Sequence, residues 1–523
     1  MRFALTGKEA DRKWWLFAAM TGALSMIMLD MTMVGVILPT VQRDLNLSTT
    51  ALQWVANAYL LAFAAFLPLG GRLADMLDGV RLAAAGMILF AASSAVAGVV
   101  ESAGWLIAAR AVQGVGAALM IPASLTVVVE AFAEGERGRA VGLRAGISSV
   151  FLSLGPLVAG LATESVSWRL IFWVNVPVCT ATLVAAWVGA SGRAPTDRDP
   201  GAKLDRAGVL TLIPGLAAVV LAIMEGSVWG WGSTTTIALL ALGCGLLTAF
   251  AVVEMRAAVP LVDLRLFRNR FFAADAIVVF LIEFGLLGLT VFGAILLQDL
   301  VDLSPSQAGL AILPTTVAVI VVSPVAGRLY DRIGARLPMV LGLAFMVLGL
   351  IWIGLVLGRL SYPWLAPGYL AEGVGIGLTL GPADIDAVEA TPPAERGQAA
   401  GLMGLMRQTG GAFGVAVMGT LITGVQQLHL GDYLDKTGLT PDRVPGLERI
   451  LAEDPGSQRD IAANVPHADL GAVLAVARDA IVQGIAVAYY ASAGVLVAAI
   501  VAVIVVHRRG RRRAPTVVEV APS

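Results

Sequence analysis

Charge, histidine and cysteine are all scarce in this chain of 523 residues. Asp, Glu, Lys and Arg make up 14% of it, against about 25% in an average soluble domain. The two cysteines, Cys179 and Cys244, lie in apolar runs, where we expect them to pack rather than to pair. His429, His467 and His507 lie outside those runs and lack zinc-ligand spacing. No metal or disulfide is expected, and a proton relay within the apolar runs has to use carboxylates.

Long apolar runs are abundant instead. Hydrophobic residues make up 58% of the chain, and the mean hydropathy is +0.82. Runs of about 20 residues are long enough to cross a bilayer. The sequence therefore predicts an all-α polytopic membrane protein, and its net charge of −1 gives no reason to expect nucleic-acid binding. The expected spans are 14–38, 52–70, 82–100, 104–129, 140–162, 169–189, 207–224, 235–254, 272–297, 307–326, 337–358, 364–385, 398–424 and 480–506.

Arginine is distributed unevenly between the predicted loops. Taking the N-terminus as cytoplasmic, the inside loops carry most of the arginines, and the tail 507–523 is strongly basic. Because positive residues concentrate in short cytoplasmic loops, this supports an even number of spans with both termini inside. The segment 425–479 has mixed charge and no span, and we place it outside, with 444–451 and 470–480 as possible short helices. High Ala, Gly and Arg usage with little Lys suggests a GC-rich bacterial genome, and we expect a multi-pass protein of the bacterial plasma membrane that is a monomer.

A five-residue string occurs twice, each time in a predicted inside loop. G-R-L-A-D at 71–75 recurs as G-R-L-Y-D at 327–331. Two copies at equivalent places indicate two related halves, as in many secondary transporters. We expect each copy to act as a latch, its acid meeting a cation or a helix terminus; an ordinary solvated turn is the alternative. The latch residues are Gly71, Arg72, Asp75, Gly327, Arg328 and Asp331.

The repeat divides the chain into parts. Residues 1–190 form an N-terminal half of six helices, and 271–506 form the C-terminal half, which includes the loop 425–479. Residues 191–270 hold two further helices inserted between the halves.

Ionisable residues inside the predicted spans are costly and mark candidate functional sites. Asp30 and Arg110 lie in the first and fourth spans, at similar depths of roughly 9–13 Å below the outer surface. They can therefore form a pair, which protonation of Asp30 would break; a static structural pair is the alternative. Gln113 shares the helix face of Arg110 and is a candidate substrate contact. Tyr59 lies on an aromatic stripe for which core packing is the first interpretation and stacking on a substrate the second.

The second half has its own buried charges. Glu283 and Glu372 lie near the middle of their predicted spans, where a carboxylate can bind a cationic substrate or carry a proton. Arg407, on the next span, could neutralise Glu372. Asp275, Asp384 and Asp386 lie nearer the inside ends, and we expect those three to be solvated.

Glycine and proline interrupt the fifth span. Gly155 and Pro156 begin the string G-P-L-V-A-G. Small residues let helices approach closely, and a proline bends a helix, so we expect a flexing helix at the boundary between the halves. In the string S-W-R-L-I-F-W-V-N-V-P that follows, Trp168 and Arg169 suit a membrane interface, and Asn175 is expected to be structural.

The chain resembles the major facilitator superfamily, specifically the drug:proton antiporters with 14 spans of the QacA/EmrB type. The resembling strings are LDMTMVGVILP at 29–39, GRLAD at 71–75, RAVQGVGAA at 110–118, LGPLVAG at 154–160, SWRLIFWVNVP at 167–177 and RQTGGAFGVAV at 407–417.

The resemblance implies export of lipophilic, often cationic, compounds against inward proton flow. It makes Asp30 and Arg110 the coupling residues, Gly155 and Pro156 the antiporter motif, and Asp75 a gating acid. The sequence contains no nucleotide-binding string and no catalytic cluster. We therefore expect neither enzymatic activity nor a cofactor, and the proton gradient is the expected energy source. An exporter dedicated to one metabolite, siderophore, antibiotic or lipid remains the alternative.

Overall fold

The computed structural model describes residues 7–45, 47, 49–191, 205–257, 260–303, 305–437 and 467–507. These residues are almost entirely helical. The helices are α1 (Gly7–Asp44), α2 (Thr49–Met76), α3 (Gly79–Ala97), α4 (Ala103–Ala131), α5 (Arg137–Ser165), α6 (Leu170–Ala190), α7 (Arg206–Trp229), α8 (Thr234–Arg256), α9 (Arg270–Ile295), the short α10 (Pro305–Ala311), α11 (Leu313–Ile333), α12 (Arg336–Val356), α13 (Tyr362–Glu389), α14 (Arg396–Thr437) and α15 (His467–Val506).

Thirteen of these helices are long and apolar enough to cross a membrane. The remaining predicted span, 364–385, corresponds to α13. This helix has 28 residues but carries four acids, among them Glu372, Asp384 and Asp386. It nevertheless packs tightly against α11 and α12. The acids of α13 are therefore enclosed by protein, which is where a bilayer tolerates them.

Two groups of six helices pack separately and meet along two seams. In the first group α4 packs on α2 and α3, and α1 packs on α5 and α6. In the second, α12 packs on α13 and α15, and α9 packs on α14. Between the groups, α2 lies against α14 and α5 lies against α11. Both G-R-L-x-D strings lie at one end of these seams, which we call the repeat face.

The helices α7 and α8 pack on each other, and α7 also contacts α2 and α14. One polar contact fixes this position: Asn57 of α2 donates a hydrogen bond of 2.8 Å to the buried carboxylate of Glu225 on α7. The inserted pair therefore lies beside one of the two seams.

The expected loop 425–479 is wrong at both ends, because α14 continues to Thr437 and α15 already begins at His467. The segment 470–480 belongs to α15 rather than to a separate helix, whereas 444–451 lies outside the described residues. The span expected at 307–326 is divided between α10 and α11. Of the basic tail, only His507 lies within the described residues.

Candidate functional site

Asp30 lies at the centre of a polar network in the N-terminal half. Its side chain is completely buried. Arg110 of α4 donates a hydrogen bond of 2.6 Å to Asp30 Oδ2, and Gln113, one turn further along the same helix, donates one of 3.1 Å to Oδ1. Arg110 also donates a hydrogen bond of 2.6 Å to the side-chain amide oxygen of Gln113. The contact expected between Asp30 and Arg110 is therefore present, with Gln113 as a third member.

Asn175 of α6 also belongs to this network, a role that the sequence reasoning missed. It donates to Asp30 Oδ1 at 2.8 Å and to Ser94 Oγ of α3 at 2.8 Å. The Ser94 hydroxyl in turn donates to the carbonyl of Phe172. An asparagine inside an apolar span needs partners, so Asn175 was recognisable as buried, but its partner was not.

Tyr59 lies beneath Arg110 rather than along an open pocket. The guanidinium carbon is 4.3 Å from the centre of the tyrosine ring, and Tyr59 is 1% exposed. The geometry is a desolvated cation–π contact. Asp30, Tyr59 and Gln113, which were expected as substrate contacts, are thus all enclosed in this conformation.

A second charged cluster lies in the C-terminal half. Arg407 of α14 pairs with Glu283 of α9 at 2.9 Å and with Asp384 of α13 at 3.1 Å. These three side chains are 30%, 14% and 15% exposed, respectively. Asp384 is therefore ion-paired rather than simply solvated. The cluster is therefore partly accessible, in contrast to the Asp30 network.

Arg144 of α5 brings a cation of the other half near this cluster, and the sequence reasoning missed it. Arg144 is 5% exposed and donates to Ser124 Oγ at 2.7 Å. The charges of Asp384 and Arg407 both act on it. One net-negative group of the C-terminal half thus faces a buried cation of the N-terminal half.

Glu372 of α13 has no such partner. It is 1% exposed, its Oε1 makes no hydrogen bond, and within the described residues no cation reaches ion-pair distance. The expected neutralisation by Arg407 does not occur, since Arg407 is bound to Glu283 and Asp384. Glu372 is therefore an acid without a cationic partner between α12 and α13, where the backbone N–H of Leu350 lies against it.

The two G-R-L-x-D acids seal the repeat face. Asp75 of α2 accepts hydrogen bonds from the backbone N–H groups of Gly397 and Gln398, at 2.6 and 2.8 Å. Asp331 of α11 accepts bonds of 2.9 Å from the N–H groups of Gly138 and Arg139. Each acid thereby caps the N-terminus of a helix in the opposite half, which offers free N–H groups and a partial positive charge.

Glycines allow this seal to form. A β-carbon on Gly71 would stand 2.6 Å from the carbonyl oxygen of Gly397, and one on Gly327 would collide with the carbonyl of Gly138. The two seams therefore close backbone against backbone. Of the paired arginines, Arg72 lies near Glu395, and Arg328 is exposed.

Gly155 plays a similar part between α1 and α5. A β-carbon there would overlap the hydroxyl of Thr32, so α5 meets α1 closely only two residues from Asp30. Pro156 follows within the same helix. The antiporter string thus lies beside the Asp30 network.

A further chain of polar contacts at the repeat face was not expected. Arg137 of α5 pairs with Glu389 at 3.2 Å across the halves, and the single proton of the Tyr330 hydroxyl is shared between Glu389, at 2.9 Å, and Asp386, at 3.2 Å. His507 contacts Asp386 at 3.3 Å, and its ring is also 3.6 Å from Asp275. Asp275, Asp386 and His507 are buried and could hold a metal ion by proximity. The expectation that Asp275 and Asp386 are solvated is wrong, because α15 covers them.

At the opposite face, the loop before α6 is bound to the end of α1. The indole of Trp168 donates to Asp44 at 2.9 Å, and Arg169 does so at 2.7 Å. These hydrogen bonds from Trp168 and Arg169 lower the pKa of the Asp44 carboxyl.

Two groups of six helices that enclose paired charges and are joined across their seams at the repeat face have the architecture of a secondary membrane transporter. The model of the Major Facilitator Superfamily matches residues 20–415, and the chain belongs to that superfamily.

Two relatives extend over most of the chain. It is 37% identical to the puromycin resistance protein pur8 of Streptomyces alboniger over 442 residues, which are 82% of this chain and 86% of that protein. It is 33% identical to the multidrug resistance protein Stp of Mycobacterium tuberculosis (strain CDC 1551 / Oshkosh) over 471 residues, 89% of this chain and 86% of that protein. The chain is thus an efflux transporter of the superfamily.

A solved structure shows the same fold. The proton:xylose symporter XylE, bound to a bromodeoxyglucose, superposes with a TM-score of 0.59 at 14% identity, covering 94% of this chain and 95% of that one. The two-half architecture inferred from the repeat is confirmed.

Proposed function

We propose that this efflux transporter expels lipophilic cations in exchange for protons, and that Asp30 is the residue where the exchange is coupled. The observation that carries the proposal is the environment of Asp30: a fully buried carboxylate held by Arg110, Gln113 and Asn175. A buried ion pair that loses one charge leaves the other uncompensated, which costs about 3–5 kcal/mol. Protonation of Asp30 therefore supplies enough free energy to reorganise the helices that meet there.

The helices that meet at Asp30 indicate how this switch reaches the seam between the halves. Asp30 joins α1 to α4 and α6, and α1 packs closely on α5 at Gly155. The helix α5 carries Gly138, whose N–H is capped by Asp331 at the repeat face. Release of Arg110 from Asp30 thus loosens α1 and α5 together, and α5 is one side of a seam between the halves.

The cluster of Glu283, Asp384 and Arg407 is the proposed substrate contact. It carries two carboxylates and one guanidinium, and Arg144 of the other half faces it, so with all of these groups ionised its net charge of −1 is left uncompensated when the halves move apart. A lipophilic cation compensates that charge, whereas a lipophilic anion is repelled. The partial exposure of the three side chains gives a substrate access that the Asp30 network lacks.

The remaining expectations are part of the same proposal. We place the repeat face in the cytoplasm of a bacterial cell, because the arginine-rich loops lie there. The helix α13 crosses the membrane as a fourteenth span, and the protein works as a monomer. In this orientation the sealed repeat face closes the cytoplasmic side.

The test uses inverted membrane vesicles with an acid interior and a pH-sensitive dye. A panel of lipophilic cations is added to vesicles that contain the wild type or Asp30→Asn. We expect cation-induced alkalinisation in the wild type and none in Asp30→Asn. Asp302→Asn is the matched control, since Asp302 is 82% exposed at the opposite face, and it should transport like the wild type.

Other outcomes have distinct meanings. Alkalinisation that persists in Asp30→Asn refutes coupling at Asp30 and moves it to Glu283 or Glu372. No response of the wild type to any cation, with the folded protein present, refutes the cation proposal. An exporter dedicated to a single metabolite or antibiotic is then the reading to pursue, and the puromycin resistance relative gives that alternative its support.

A further inference from the structure

Four polar atoms lie buried without a hydrogen-bond partner in one region of the C-terminal half. They are Glu372 Oε1, the hydroxyls of Tyr369 and Tyr489, and Ser492 Oγ. All four residues are at most 3% exposed. More than about nine in ten buried polar groups in proteins have a partner, and each one without a partner costs about 1–3 kcal/mol. Such a concentration indicates an occupant.

The atoms converge from different helices. A β-carbon on Gly293 of α9 would stand 3.0 Å from Tyr369 Oη and 3.7 Å from Tyr489 Oη, so both hydroxyls border the same glycine. The Glu372 carboxylate acts electrostatically on both tyrosines. Ser492 lies three residues after Tyr489, on the same face of α15.

A cavity of about 30 Å³ adjoins this group. Tyr369 and Gly293 line it, together with Leu286, Leu289, Thr290, Ile312 and Thr315. A water molecule needs about 10–15 Å³ of such space, so the cavity has room for about two waters. A drug-sized ligand requires about 300–1,000 Å³. The size selects water over a lipophilic substrate.

The charge state follows from what faces Glu372. Its own helix and α15 contribute Tyr369 and Tyr489. On α12 it lies against Gly349, whose added β-carbon would be 3.0 Å from Oε1, and the cavity residues given for α9 and α11 are uncharged. Among the described residues nothing offers a positive charge to a carboxylate there, and an ionised acid without one is very costly.

We infer that Glu372, Tyr369 and Tyr489 form a hydrated proton-binding site, in which the neutral Glu372 carboxyl exchanges its proton through water in the cavity that Tyr369 and Gly293 line. This assigns to Glu372 a proton rather than a substrate. The site is defined by its own surroundings. Only its use in transport rests on the proposed proton-coupled export.

Infrared difference spectroscopy of the purified protein in lipid nanodiscs tests the inference without transport. A protonated carboxyl absorbs apart from carboxylate, and we expect the wild type to show this band at neutral pH. Glu372→Gln should remove it completely, while Glu283→Gln, the matched control whose carboxylate is paired with Arg407, should leave it in place. Tyr369→Phe and Tyr489→Phe should each shift the band without abolishing it.

Exchange into D₂O tests the water. The band should shift rapidly in the wild type and about tenfold more slowly in Gly293→Ala, whose methyl group occupies the space between the hydroxyls. A band that survives Glu372→Gln overturns the inference, as does one that neither tyrosine variant moves or that does not exchange. If Glu372→Gln does not fold, the tyrosine and glycine variants still decide. A vesicle assay without cation transport leaves these results unaffected.

Discussion

Asp30 and Glu372 are both fully enclosed acids inside long helices, one in each half, yet their surroundings are opposite. Asp30 accepts hydrogen bonds from Arg110, Gln113 and Asn175. Glu372 has two unpartnered phenols and a small cavity. A paired charge resists protonation until the pair is broken, whereas an unpaired acid keeps its proton until water removes it. In the two proposals above, one fold therefore handles protons in two ways, with a switch in one half and a proton-binding site in the other.

Removing one member of the Asp30 pair should have the largest effect. Arg110→Met leaves a buried carboxylate without its cation, and we expect a loss of about 3–5 kcal/mol of stability together with loss of transport. Thermal unfolding in detergent measures it. In the double variant Asp30→Asn, Arg110→Met, no uncompensated charge remains, and much of the stability should return. Equal stability of Arg110→Met and the wild type would contradict the pair.

The repeat face, by contrast, should respond alike in both halves. Gly71→Ala and Gly327→Ala each place a methyl group against the backbone of the other half, which should cost the sealed state about 1–3 kcal/mol. The measurement is the electron-resonance distance between spin labels at Leu77 and Leu337, in a protein whose Cys179 and Cys244 have been replaced. We expect this distance to be longer in both glycine variants. Gly160→Ala is the matched control.

Gly160→Ala is a suitable control because, among the described residues, nothing lies within 4 Å of a β-carbon on Gly160. A distance distribution that stays unchanged in both seam variants would show that the seams are not closed backbone against backbone. A change in only one variant would show that the halves differ in how they seal.

Loss of the capping charges should have a smaller effect on the same distances. Asp75→Asn and Asp331→Asn remove a negative charge from a helix N-terminus, which is worth about 0.3–1 kcal/mol and up to about 2 when partly buried. Because the two acids cap different helices, the shifts should add in the double variant. Asp205→Asn, which alters the cap of α7, should leave the distance unchanged; a double variant no different from either single variant would argue against two independent latches.

The helices and the depth of their charges were predictable, because hydropathy and helix rise are local properties of the sequence. That is why Arg110 could be matched to Asp30 and why the G-R-L-x-D acids could be assigned to helix termini. Which neighbouring helix a charged side chain faces is not a local property of the sequence, because it depends on tertiary packing. Asp386 and Asp275 were expected in solvent, but α15 covers them and brings His507 into contact. Asn175 and Arg144 were hidden for the same reason, since their partners lie on other helices.

The tyrosines give the smallest and sharpest test of the comparison between the halves. Tyr59 and Tyr489 are both buried with an unpartnered hydroxyl, but Tyr59 contributes through its ring, over which Arg110 lies 4.3 Å from the centre. Tyr59→Phe keeps that contact and should leave the free energy of unfolding unchanged within about 0.5 kcal/mol, whereas Tyr59→Leu should lose about 2 kcal/mol. Tyr489→Phe should cost about 0.5–1.5 kcal/mol, because in a hydrated site the hydroxyl bonds water. Denaturant unfolding of the three variants in detergent measures these differences. A Tyr489→Phe protein more stable than the wild type would mean that the Tyr489 hydroxyl binds no water. The surroundings of Glu372 would then differ less from those of Asp30 than the comparison states.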